Sequence, residues 1–119
     1  MKVELTLSQR PWTLNEERAG NRFQRAKQTK QWREYFCYLA QAQNVPQMTD
    51  CVITVTPYQL KGRMQDVAAC VPAVKAAIDG LVDAKVLIDD APQHLKAIVF
   101  KQPEKGTPAL KLEIEGTLQ

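Results

Sequence analysis

The stretch from Asp66 to Asp90, DVAACVPAVKAAIDGLVDAKVLIDD, sets one acid ahead of a helix-forming segment and an acidic pair, Asp89 and Asp90, behind it. Carboxylates spaced in this way can be carried to the same end of a sheet. Their oxygens suit a hard divalent cation such as Mg²⁺, which keeps several waters, one of which can become a hydrolytic nucleophile. The plainer alternative is that an Asp-Asp pair before a proline-containing turn is ordinary surface chemistry.

The helix between those acids follows from the apolar spacing. Val67, Val71, Val74, Ile78, Leu81 and Val82 recur at three- and four-residue steps and form one stripe when wound at about 3.6 residues per turn. Proline is tolerated in a first helical turn, where its missing N–H has no partner to lose, so the regular helix is expected to begin near Pro72. Asp66 then falls on a loop or loose turn. Lys75, Asp79 and Asp83 follow at four-residue steps on a polar face. The run Lys85 to Ile88 reads as a strand stub or extended turn that delivers Asp89 and Asp90 to a chain reversal.

The segment Val74 to Ala84, followed by Val86-Leu87-Ile88-Asp89-Asp90, resembles the core of the RusA-type Holliday junction resolvases, many of them carried by phages and prophages. Leu14-Asn15 and the basic stretch ending Lys30-Gln31-Trp32-Arg33 are similar to the phage-type members. The resemblance implies a Mg²⁺-dependent endodeoxyribonuclease that acts as a homodimer, without a nucleotide cofactor, and nicks opposing strands of a four-way DNA junction in recombination and repair. Carried over by position, Asp66 and Asp90 are the main metal ligands, Asp89 assists, and Lys75 supports phosphodiester cleavage. The better-known members have a second aspartate two residues after the first and then an asparagine, where this chain has Ala68 and Ala69. Either Asp79 or Asp89 substitutes, or the site holds fewer ions, or the chain is a non-catalytic DNA-binding protein on the same fold.

Charge distribution says more than the net charge of +3. Arg10, Arg18, Arg22, Arg25, Lys27, Lys30 and Arg33 precede most of the acids, with only Glu16 and Glu17 among them. On a helix from about Asn21 to Asn44, Arg22, Lys27, Lys30 and Arg33 are expected to project broadly to one side and Trp32, Tyr35, Phe36 and Leu39 to the other. Arg22, Arg25, Lys27, Lys30 and Arg33, with Lys61 and Arg63 on a later loop, are the candidate contacts to a DNA backbone. A solvated charged face is the competing account.

The remaining residues bound the class. The length suits one domain, residues 1–119, with ordinary composition for a soluble protein. No apolar run approaches a membrane span and no secretory leader pattern opens the chain, so the cytoplasm is the expected compartment. Cys37, Cys51 and Cys70 lack metal-binding spacing and read as reduced core thiols, while His94 is a minor candidate for proton transfer. Strands are expected around Val3 to Leu7, Cys51 to Val55 (stopping at Pro57), Leu95 to Lys101 and Leu110 to Glu115, with a loop from Pro11 to Gly20. The order β-α-β-α-β-β predicts an α+β domain with a mixed four-stranded sheet and two helices. A small protein-interaction module is the class that would leave both the acids and the cations without a role.

Overall fold

The computed structural model describes residues 1–119 and shows an α+β fold: β1 (Lys2–Leu7), α1 (Leu14–Ala19), α2 (Arg22–Ala42), β2 (Met48–Gln59), α3 (Val71–Asp83), β3 (Leu95–Phe100), β4 (Glu104–Lys105) and β5 (Ala109–Leu118). The main strand order is β1-β5-β2-β3, with β4 also paired to β2. β1 and β2 flank β5 antiparallel, whereas β3 and β4 lie parallel to β2, so the sheet is mixed. The parallel β2–β3 pair is made possible by the crossover through α3.

Alternation along the central strands decides which face is covered. Ile53 and Val55 of β2 and Leu110, Leu112 and Ile114 of β5 are fully buried in one core with Trp32 and Phe36 of α2 and Val74, Ile78 and Leu81 of α3. The intervening residues of β5 turn to the opposite face, where Lys2 and Lys111 pair with Glu113 at 3.0 and 3.6 Å. One face of the sheet is therefore helix-covered and the other is polar. No helix is long and apolar enough to cross a membrane.

Three expectations are corrected. The sheet has five strands rather than four, because Glu104 and Lys105, outside every expected strand, pair with Tyr58 and Gln59. There are three helices rather than two, because Leu14–Ala19 is helical within the expected Pro11–Gly20 loop. Its signature is a capping box: Thr13 and Glu16 satisfy each other's backbone N–H groups. Finally, β2 runs through Pro57. The Val55 carbonyl accepts from Lys101, so alternation turns Pro57 nitrogen toward the same side, where β3 has ended at Phe100 and β4 begins only at Glu104. The missing N–H costs no ladder bond there.

Elsewhere the helices start where the sequence indicates. Asn21 caps α2 and forms a capping box with Gln24, and α3 carries a proline in its first turn. Val67 and Val71 lie outside the buried stripe and are exposed. Lys85 to Ile88 forms turns and bends, without a strand.

The two long helices pack closely through Gly80. A Cβ placed there would fall inside van der Waals range of the Arg33 carbonyl and 3.0 Å from the Cys37 nitrogen, both backbone atoms of α2. Gly80→Ala should therefore force the helices apart and destabilise the fold by about 1–3 kcal/mol, the usual cost of overpacking, despite the better helix propensity of alanine. Urea unfolding would report this as a lower midpoint with an unchanged slope.

Candidate functional site

Lys75 stands on an exposed part of α3 and draws acids from two segments to itself. Asp79, one turn along the same helix, accepts from the Lys75 ammonium at 3.1 Å. Asp90, fifteen residues away on the chain reversal, accepts from the same ammonium. Mutual hydrogen bonding raises the lysine pKa, mainly through Asp90, and lowers the Asp90 pKa, mainly through Lys75. At neutral pH the cluster holds a positive charge between carboxylates, all within reach of solvent.

Asp89 is adjacent but engaged differently. Its Oδ1 accepts from the Ala91 N–H at 2.9 Å, tightening the turn, and lies 3.9 Å from His94 Nε2. His94 Nδ1 lies 2.9 Å from the Thr49 carbonyl, which can only accept, so Nδ1 carries a proton, and Nε2 faces the Gln93 amide at 3.2 Å. The histidine thus ties β3's approach to β2.

Asp66 lies apart from these groups. It is exposed, its carbonyl accepts from Ala69 N–H at 3.0 Å, and its side chain lines a shallow cleft with Thr13, Asn15, Arg63 and Ala69. Its carboxylate has no hydrogen-bond or ion-pair partner. The Ala69 carbonyl in turn accepts from Leu14 N–H at 2.9 Å, which docks α1 against this loop. Ala68 has a φ of 66°, a left-handed conformation that aspartate, asparagine and glycine tolerate better than alanine. The fold thus joins Lys75, Asp79 and Asp90, with Asp89 beside them, and leaves Asp66 on the α1 side. No three His, Cys, Asp or Glu side chains converge closely enough to cage a metal. The donor chemistry nevertheless fits Mg²⁺, which is commonly held by one or two carboxylates together with waters and substrate phosphates rather than by an all-protein cage.

The expected cationic face divides into two groups. Arg25 donates to the Glu17 and Gly20 carbonyls at 3.2 and 3.1 Å and fixes the α1–α2 corner. Arg33 makes a bidentate pair with Asp83 of α3, at 2.5 and 2.8 Å, which holds the aspartate carboxyl below its usual range. These two turn toward the protein, whereas Arg22, Lys27, Lys30, Lys61 and Arg63 are exposed, with side chains bound to no other residue. At about 3.6 residues per turn Arg33 stands about 60° around α2 from Lys30, on the flank nearer α3, where it pairs with Asp83 while Lys27 and Lys30 stay free. Between α1, α2 and the end of α3 lies an open cleft of about 940 Å³, lined by Arg18, Arg25, Lys30 and Arg33 along with Glu17 and Asp83. Arg18 lines this cleft from α1, a helix with no buried side chain and so no apolar period to mark it in the sequence.

Comparison with known proteins finds no family model that matches the chain and no curated protein that matches it.

The pairs make stability depend on acid. The Asp83 and Asp90 carboxyls titrate below the ordinary range in the folded chain. As pH falls through about 4, the unfolded chain takes up these protons while the folded chain resists them, so the stabilisation is present above that pH and lost below it. Asp83→Asn should lower stability at pH 7 and flatten its decline below pH 4, measured by denaturant unfolding across the pH range.

Proposed function

We propose that this chain is a Mg²⁺-dependent, structure-selective endodeoxyribonuclease that nicks four-way DNA junctions as a homodimer, in the manner of the RusA-type resolvases its sequence resembles. The observation that carries the reading is the cluster of Lys75 with Asp79 and Asp90, set on a different element from the exposed cations of α2. Phosphodiester cleavage calls for that separation: cations to hold a polyanionic backbone, and carboxylates with a lysine to work on one phosphate.

Asp79, Asp89 and Asp90 are the carboxylates available to hold Mg²⁺, with Asp66 further off. When bound, the ion supplies a water of lowered pKa and offsets charge on the phosphate oxygens. Lys75, kept protonated by its neighbours, would donate to a non-bridging phosphate oxygen as negative charge builds there. Arg22, Lys27 and Lys30 hold the backbone and carry no base readout, which leaves selectivity to junction shape.

A second reading, a DNA-binding protein on the same fold with little or no cutting, is favoured by one specific observation: Asp66 lies against α1, followed by Ala68 and Ala69, and not against Lys75.

Asp90→Asn should abolish cleavage while leaving junction binding as tight or tighter, since it removes a ligand charge and nearly conserves shape. Lys75→Gln should lower the single-turnover rate about 10²- to 10³-fold, the range for loss of one transition-state donor. Wild-type cutting of a four-way junction by folded Asp90→Asn protein would remove that residue from the site. Separately, changing Arg22, Lys27 and Lys30 to Gln should reduce the slope of log affinity against log salt by roughly 0.9 for each phosphate of a duplex arm that the protein no longer neutralises. An unchanged slope would mean that DNA does not lie on this surface.

A further inference from the structure

The outer surface of α2 presents an aromatic group among unpaired cations. Phe23 is 85% exposed, more than any other large apolar side chain, and sits in the first turn. Lys27 and Lys30 follow it by four and seven residues, so all three lie along one strip of the helix, and Arg22 adjoins it. Between Arg18 and Arg33 there is no acidic residue, and none of residues 22–31 is buried. Glu34 closes the strip one turn further along. The platform is also firmly set: Asn21 and Gln24 cap its first turn reciprocally, and Arg25 ties that turn to the end of α1.

A lone exposed phenylalanine is common on a protein surface. Here it is surrounded by cations with no partner in the chain, at the helix end whose dipole is positive and which carries no acid in its first turn. The complementary surface is a polyanion that also offers flat apolar faces. Duplex arms supply only phosphates, because their bases are stacked inside. A branch point supplies both.

We infer that Phe23, with Arg22, Lys27 and Lys30 around it, is a stacking platform for unpaired nucleotides at a DNA branch. The inference rests on the proposed DNA-junction reading and adds to it the part of the substrate that this helix recognises. Phe23 takes an unstacked base on its ring while the lysines hold the adjoining phosphates, an arrangement tolerant of base identity.

The test uses full-length protein without divalent cation, so that cutting plays no part. A four-way junction carrying 2-aminopurine at the branch, a linear duplex of the same arm sequence and an oligo-dT strand are titrated by fluorescence. Phe23→Ala should weaken binding to the junction and to oligo-dT by about tenfold or more and leave the duplex within twofold. Phe23→Trp should retain both the affinity and the quenching of 2-aminopurine, whereas Phe23→Leu should lose them. Equal binding by the wild type and Phe23→Leu, or an equal loss on all three DNAs, overturns the inference. So does Phe23-dependent binding to phosphatidylserine vesicles without any Phe23 effect on DNA. Phe23-dependent junction binding by a protein that never cuts in Mg²⁺ would uphold this inference and sink the nuclease reading; cutting with no Phe23 effect would do the reverse. Because Phe23 is so exposed, all variants should melt with the wild type by circular dichroism.

Discussion

The missing side chain at Gly80 lets the backbone of α3 approach the backbone of α2 near Arg33 and Cys37, and much of the molecule's arrangement is built on that approach. Ala73, Ala76 and Ala77 keep the same helix slim, and all are buried. With the helices this close, Asp83, one turn beyond Gly80, meets the Arg33 guanidinium on the facing helix. Trp32 and Phe36 fill the space toward the sheet, and Trp12 packs edge-on against Trp32 at 5.5 Å, carrying the chain that leads into α1. The N-terminal half of α2 then extends past the core, tied to α1 through Arg25 and with no fully buried residue before Trp32.

A division of charge follows from this geometry. Three acids of α3 and of the reversal after it pair with cations, Asp79 and Asp90 sharing Lys75 and Asp83 taking Arg33, while Asp89 bonds the Ala91 N–H. Arg22, Lys27 and Lys30 of α2 are left without acids and face solvent. Exposed pairs of this kind contribute little to stability, because water and salt screen them. Their consequence lies instead in where positive and negative potential end up: a cationic helix end on one side and a lysine–carboxylate group on another.

Much of this can be read from residue order. The stripe of Val74, Ile78 and Leu81 gives α3, Asn21 gives the start of α2, and alternation in β1, β2 and β5 gives the covered face. Thr13 and Glu16 also announce α1, but six residues with no buried side chain have no apolar period to read. β4 has no local signal at all, since two residues pair only because β2 extends past the end of β3. Within the site, the four-residue step from Lys75 to Asp79 is visible in sequence, whereas the Lys75–Asp90 pairing depends on how the chain reverses after α3. The place of Asp66 is set by the docking of α1 through Leu14 and Ala69, an interaction between distant segments that residue spacing near Asp66 does not encode.

The central claim, that this fold cuts branched DNA using the Lys75 cluster, is tested most directly by incubating the wild-type protein with a four-way junction and with a linear duplex of the same sequence, in Mg²⁺ and in EDTA, and mapping any breaks at nucleotide resolution. The account predicts paired, symmetrically placed nicks in opposing strands of the junction, in Mg²⁺ alone, with the duplex left intact. Tight junction binding with no strand breakage at any Mg²⁺ concentration, or equal breakage of both DNAs, would contradict it.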